Sequence, residues 1–138
     1  MGASWTYARR VAFSDTDMAG IVHYSNYLRY IEDGEAELLG GLGIPVTEER
    51  AGGVLRGWPR VDVQCRFRMP LRYPEAFELV LVVSAVESQR VRLQGEFQRA
   101  GTTVAEAEWV IAYAEIDRAK ETVRTLPLPD AWRTALLR

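Results

Sequence analysis

The chain has 138 residues, 48% of them hydrophobic, and 17 Lys and Arg against 19 Asp and Glu leave a net charge of −2. That apolar content suits one globular domain over residues 1–138 with a core of its own, and the charge balance excludes a general nucleic-acid binder. Cys65 is the only cysteine and no histidine–cysteine cluster is present, so neither an internal disulfide nor a structural metal is expected.

No apolar run is long enough to cross a bilayer, and the opening Met-Gly-Ala-Ser-Trp-Thr-Tyr lacks an apolar signal core. A cytoplasmic protein without membrane insertion is the expectation. From Trp5 to Phe13 the side chains of Trp5, Tyr7, Arg9, Val11 and Phe13 alternate on one face, the period of a strand. A short loop with two carboxylates, Asp15 and Asp17, follows. From about Tyr24 to Leu39 the pattern turns helical, with Tyr24, Tyr27, Leu28, Ile31, Leu38 and Leu42 near one face. Gly34 allows a close approach on that face, while Arg29, Glu32, Asp33 and Glu37 lie opposite. Gly40, Gly41, Gly43 and Pro45 end the helix.

The segment from Ala51 to Gly57, with three glycines, reads as a mobile connector. Beyond it the chain reads as strand from Trp58 to Ile116. Val61, Val63, Cys65 and Phe67 alternate with polar partners, and Cys65 is expected to be a buried small hydrophobe. Phe77 to Val86 is nearly continuous apolar sequence, as in a strand buried on both faces. Val91, Leu93, Gly95 and Phe97 alternate again, Ala100-Gly101 supplies a hairpin turn, and Thr103 to Ile116 forms a long strand. A short strand is expected at Glu121 to Thr125 and a terminal helix at Asp130 to Leu137.

One long apolar-faced helix followed by antiparallel strands has an economical solution: a sheet of about five strands curls around the helix, an α+β architecture. Such a sheet leaves an edge strand, and pairing edges across a two-fold axis covers it, so a homodimer or homotetramer is expected.

The chemistry concentrates in residues 13–27, Phe-Ser-Asp-Thr-Asp-Met-Ala-Gly-Ile-Val-His-Tyr-Ser-Asn-Tyr. A carboxylate facing the amides of a helix start suits acyl chemistry: the amides stabilise a developing oxyanion while the carboxylate attacks or activates water. Asp15 reads as structural, bonding loop amides. Ser25 and Asn26 suit helix capping, and Asn26 could orient the Asp loop. A Ser25–His23–Asp17 triad is disfavoured, because residues so close along a turn do not readily adopt that geometry. Glu32 reads as a solvated or interface-facing charge, whereas Glu35, nearer the apolar face, could reach a subunit interface or the pocket.

The order strand, Asp loop, helix, strands resembles the hotdog fold. The Asp15 to Tyr27 stretch is similar to the signature of the 4-hydroxybenzoyl-CoA thioesterase family. That resemblance implies Asp17 as the catalytic carboxylate, the Tyr24 backbone N–H as the donor that polarises the thioester carbonyl, and Gly20 as the residue allowing close approach of the loop. It also implies a coenzyme A thioester substrate, no metal or cofactor, and active sites at a subunit interface. The resemblance also points to Arg90 and Arg92 as arginines that meet coenzyme A phosphates, with a solvated strand face the alternative, and Arg66, Arg68 or Arg72 on the same patch would strengthen the phosphate reading. The order here is His23-Tyr24 where many relatives have Tyr-His, so His23 is a candidate for the substrate pocket and not a carried-over catalyst. Tyr27, Trp58 and Pro59 are candidates to shape the acyl pocket, with ordinary packing the alternative for Trp58 and Pro59. The activity expected is hydrolysis of a small or medium acyl-CoA, with aliphatic and aromatic acyl groups both open. The rival is a non-catalytic module binding acyl-CoA or an acyl carrier.

Overall fold

The computed structural model describes all residues, 1–138. Strand β1 (Ser4–Arg10) runs through a single 3-10 turn at Phe13–Asp15 and the Asp loop into the long helix α1 (Ser25–Gly41). Two short strands, β2 (Thr47–Arg50) and β3 (Val54–Gly57), follow. Four longer strands come next: β4 (Arg60–Phe67), β5 (Ala76–Val86), β6 (Arg90–Arg99) and β7 (Thr102–Ala112). The chain closes with β8 (Ala114–Asp117), β9 (Thr122–Thr125) and helix α2 (Asp130–Leu136).

The strands form two antiparallel sheets, a five-stranded one in the order β1-β5-β6-β7-β4 and a four-stranded one in the order β2-β3-β8-β9. The expectation of about five strands therefore describes the main sheet. The smaller sheet is an addition, made because β7 runs on into β8 past Tyr113 and β3 runs on into β4 past Trp58-Pro59. It also corrects the reading of residues 51–57 as a mobile connector. Gly52 and Gly53, at φ of 75° and 79°, make the turn of a β2–β3 hairpin whose second strand also pairs with β8.

Helix α1 buries Tyr27, Tyr30, Ile31, Gly34, Glu35, Leu38 and Leu39. Tyr24 and Leu28, expected on that face, are exposed, and Tyr30 and Leu39 take their place. Gly34 sets this rotation: the space a side chain would occupy there is filled by Leu79 and Leu81 of β5 and Tyr7 of β1. The helix stops in a Schellman arrangement. The Ile44 amide donates to Leu39 O (2.9 Å) and the Gly43 amide to Gly40 O (3.1 Å), with Gly43 at φ 74°.

Strand β5 also departs from expectation. Phe77, Leu79, Leu81 and Val83 face α1 and are buried, but Glu78 and Val80 on the other face are exposed. The run is buried on one face only, since this chain places no layer behind the sheet. At the far edge of the sheet β4 pairs with β7 alone. Its Val61 and Phe67 remain about half exposed (47% and 51%), an apolar stripe no element of this chain covers.

Replacing Gly34 by Ala is expected to destabilise the fold by about 1–3 kcal/mol despite the better helix propensity of Ala. The new Cβ would lie 2.8 Å from the Leu81 methyl, so buried side chains of β5 must shift to admit it. Urea denaturation of the two proteins measures this; an unchanged or raised midpoint would show that the close approach is not limiting.

Candidate active site

The Asp loop is held from one side chain. Asp15 Oδ2 accepts from the Ala12 amide (3.0 Å), the Tyr30 hydroxyl (2.7 Å) and the Arg9 guanidinium (3.2 Å). Its backbone carbonyl accepts from the His23 amide (2.9 Å) and Asn26 Nδ2 (2.8 Å). Asp15 thus ties β1, the loop and the first two turns of α1 together, the structural role read for it, and Asn26 orients the loop instead of capping the helix. Burial works to raise the Asp15 pKa. The Ala12 amide, Tyr30 and Arg9 outweigh that and hold it below the usual aspartate value.

Two residues on, Asp17 begins a tight turn. Its amide donates to Ile21 O (3.0 Å), its carbonyl accepts from the Gly20 amide (2.9 Å), and its Oδ1 accepts from the Ala19 amide (2.8 Å). Gly20 closes the turn at φ 79°, a conformation other residues enter with strain. Asp17 Oδ2 has no partner in the chain and the residue is exposed, so one oxygen is free to act. The Val22 amide bonds Leu71 O (2.9 Å) and Ile21 bridges to Arg72, which presses the turn against the segment after β4.

Tyr24 begins α1 with φ −53° and ψ −32°, and its N–H finds no acceptor within the chain. It is one of the orphan amides of a helix start, where the backbone dipole favours negative charge. Asp17 and Tyr24 line one cavity of about 370 Å³, walled by Tyr27, Phe67, Met69 and Arg68. Tyr27 forms its floor, edge-on to Phe67 (4.9 Å) and Phe97 (5.1 Å). Arg68 pairs with Glu106 on β7.

His23 stacks on the Tyr24 ring at 4.5 Å. Its Nδ1 accepts from the Ser25 amide (3.3 Å) and lies 2.8 Å from Ser25 Oγ. Ser25 and His23 therefore do meet, but the Asp17 carboxylate bonds a backbone amide and not the imidazole, so no triad is assembled. Neither Ser25 nor Asn26 makes a side-chain cap.

The other candidates lie elsewhere in the chain. Trp58 and Pro59 line a second cavity of about 360 Å³, with Glu32, Glu35 and Arg60, at the opposite end of β4. Trp58 is buried, stacks near Tyr113 (5.1 Å) and donates to Pro45 O (3.2 Å). Arg90 and Arg92 open β6, and Arg92 bonds Glu87 (2.7 Å). In register, Arg92 stands beside Val110 and Asp62, whereas the Asp17 cavity is level with Phe97 and Ala105. Arg68 and Arg72, not Arg90 and Arg92, border the Asp17 turn within one chain.

The sequence reading brought Glu35 toward an interface or the pocket but did not reveal its partners. Glu35, buried beneath α1, accepts from Arg60 (2.9 Å) and from Trp109 Nε1 (2.9 Å). Burial pushes the Glu35 carboxyl up from its usual value, and the two donors offset that only in part. The signal was an acidic residue inside the Ile31–Leu38 stripe, one turn from each; its arginine partner 25 positions on left no mark.

Comparison with known proteins accords with this geometry. The sequence profile of the thioesterase-like superfamily matches residues 11–136. The chain belongs to that superfamily. A putative esterase of Aquifex aeolicus is 40% identical over 75 residues, a stretch spanning 54% of this chain and 57% of that relative, so the chain spans only about half the relative's length in the match. The 1,4-dihydroxy-2-naphthoyl-CoA hydrolase of Thermosynechococcus vestitus is 26% identical over 129 residues, 91% of this chain and 86% of the relative. A solved 4-hydroxybenzoyl-CoA thioesterase, an aspartate-to-asparagine mutant complexed with 4-hydroxybenzoyl-CoA, superposes with a TM-score of 0.81. It covers 96% of this chain and 98% of that one at 20% identity, a likeness of fold. The helix wrapped by an antiparallel sheet is thus the hotdog fold of this thioesterase-like chain. No helix is long and apolar enough to cross a membrane.

The depressed Asp15 pKa has a stability consequence. Its contribution is complete above the ordinary aspartate value of about 4 and is lost as the pH falls below that value toward the folded one. Asp15→Asn is expected to cost about 1–3 kcal/mol at pH 7. It should also flatten the acid side of the stability profile, measured by urea denaturation from neutral pH down to about pH 3. Parallel profiles for both proteins would place the acid sensitivity elsewhere.

Proposed function

We propose that this chain is a cytoplasmic acyl-CoA thioesterase that hydrolyses a small or medium acyl-CoA, acting as a homo-oligomer. One observation carries the reading: Asp17, with a carboxylate oxygen that has no partner, and Tyr24, with a helix-start amide that has no partner, line one largely apolar cavity. The thioester carbonyl accepts from the Tyr24 N–H, which stabilises the negative charge that develops on oxygen; such a donor is worth about 3 kcal/mol in the transition state. Asp17 then attacks the carbonyl carbon, giving an anhydride that water opens, or removes a proton from water that attacks directly. Either route releases the free acid and coenzyme A as thiol and needs no metal or further cofactor.

Gly20 lets the turn approach the thioester, Asn26 and His23 hold the Tyr24 amide in place from either side, and Tyr27 supports the acyl group from below. Asp17 is suited to this work by contrast with Asp15. Asp15 is saturated with donors, while Asp17 spends one oxygen on its own turn. The free edge of β4, with its exposed Val61 and Phe67, supports assembly of two copies through that strand. Trp58, Pro59, Arg90 and Arg92, remote from Asp17 in one chain, would join the site only from a second copy.

The test is release of free thiol from a panel of aliphatic and aromatic acyl-CoAs. Wild-type turnover on at least one class is expected, and Asp17→Asn should lower it about 10²–10⁴-fold while acyl-CoA binding is retained. Near-wild-type turnover in the variant would remove Asp17 from the reaction. Tight acyl-CoA binding by the wild type with no thiol released would make the chain a binding module.

A further inference from the structure

Four arginines surround the Asp17 turn, and they divide into two pairs. Arg9 and Arg68 are spent within the chain, on Asp15 and Glu106. Arg10 and Arg72 are exposed and make no ion pair. Arg10 donates only to Pro74 O (3.1 Å), and the Arg72 guanidinium has no partner at all. The acids that could have met them are engaged or out of reach. Asp15 is saturated, Glu75 takes the Arg72 amide (2.6 Å) and Arg99 (3.2 Å), and Glu78 shares a cavity with Arg10 without pairing to it. In a chain of net charge −2 this corner carries two cations free to meet an anion.

Backbone pairing fixes where Arg72 points. Thr16 bridges to Val22 and Ile21 bridges to Arg72, both antiparallel, so Asp17, Ile21 and Arg72 stand abreast on three adjacent segments. Residues directly opposite in antiparallel pairs carry their side chains on one face. Asp17 and Ile21 both line the acyl cavity, and Arg72 therefore projects on that side. Two strand spacings, about 10 Å, separate its backbone from that of Asp17. Phe67, Arg68, Met69 and Pro70 wall the cavity, and Arg72 lies just past the Pro70 end. An acyl group resting on Tyr27 and Phe67 leaves that end to whatever the thioester sulfur carries. Beyond Arg72 come two exposed rings, Tyr73 (54%) and Phe13 (75%), edge-on at 5.7 Å, with Arg10 on the far side at Pro74. Nothing in the chain covers the rings.

We infer that Arg72 and Arg10, with the Tyr73 and Phe13 rings between them, form this chain's own seat for the nucleotide end of coenzyme A. This rests on the thioesterase reading above. The guanidinium forks meet phosphate oxygens, and an exposed ring stacks on the adenine. The pantetheine arm is longer than the spacing between Asp17 and Arg72, so the thioester and the phosphates reach their partners together. Binding energy gained at the nucleotide then holds the thioester against Asp17 and the Tyr24 amide. The seat lies on the chain that holds the reacting Asp17, whereas Arg90 and Arg92 stand at the other end of β6.

The experiment compares kcat/KM for one acyl group carried on coenzyme A, on phosphopantetheine and on pantetheine. The wild type should favour the coenzyme A thioester over the pantetheine thioester by about 10–100-fold, the worth of one or two charge-assisted hydrogen bonds. Phosphopantetheine, which keeps one phosphate and lacks the adenosine, should fall between. In Arg72→Gln combined with Arg10→Gln the ratio of coenzyme A to pantetheine should drop to within a few-fold of one. Its decline with added salt should flatten as well. Arg72→Gln alone, which breaks no bond within the chain, should lower the ratio if the double variant fails to fold. Tyr73→Leu should narrow the gap between coenzyme A and phosphopantetheine. A wild-type ratio near one overturns the inference while leaving the thioesterase reading intact. So does a ratio that survives in the Arg72 and Arg10 variants but is lost in Arg90→Gln combined with Arg92→Gln. Phosphopantetheine equal to coenzyme A in the wild type removes the adenine contact and makes a carrier protein's prosthetic group the better fit, which also overturns it. Absence of thiol release by the wild type from every substrate overturns both readings.

Discussion

The geometry of the Asp loop hangs on the Asp15 carboxylate. The strand before it and the helix after it would otherwise meet through a flexible stretch of fourteen residues, 11–24, whose ordering costs on the order of 1–2 kcal/mol for each residue. Asp15 offsets part of that cost with one partly buried oxygen that takes donors from β1, from Ala12 just before the 3-10 turn and from α1. The Arg9 side chain reaches the same oxygen while lying 5.0 Å from the Tyr30 ring centre. The Asp15 carbonyl adds the His23 amide and the Asn26 side chain on the far side. The Tyr24 amide is thereby fixed from both flanks without being used by either.

Two aspartates separated by a single residue thus take opposite parts because their surroundings differ. Asp15 meets strong donors, and they keep it charged and immobile. Asp17 meets one amide of its own turn and an apolar wall. A carboxylate that is pinned but not saturated can turn its second oxygen on a substrate, and the turn around it, closed by Gly20, keeps its position without enclosing it. Assigning roles from environment and not from residue type is the general logic of paired carboxylates.

The Asp loop and α1 were legible because local sequence determines them. Turn chemistry at Asp17 and Gly20, the glycines after Leu39, and the three- and four-residue spacing of Tyr27, Ile31, Gly34 and Leu38 all act within a few residues of each other. The rotation of α1 was not legible in detail. It depends on Leu79 and Leu81, over forty residues away, entering the gap at Gly34. The β2–β3 hairpin was misread for a related reason: Gly52 and Gly53 look like a flexible link until β8 supplies an edge to pair with. The Glu35–Arg60–Trp109 group lay furthest out of reach. Each member reads by itself as something ordinary, a helix acid, a strand arginine and a core tryptophan, and only the sheet register brings the three together.

That group also bears on what a lone chain can be. Removing one member of a buried ion pair commonly costs about 3–5 kcal/mol, while swapping the whole pair for apolar residues is often harmless. A fold with nothing further to do at this place would lose little by having apolar residues there. The chain instead holds an arginine that is only partly satisfied, at one end of an edge strand, and an open apolar cavity at the other end of the same strand. The ladder between them has no partner on its outer side, and Val61 and Phe67 lie half exposed along it. An orphan donor, an unpaired edge, and an uncovered apolar stripe are three separate deficits with separate physical origins. All three fall on one strand, and pairing of that strand with a second copy would cover the edge and the apolar stripe.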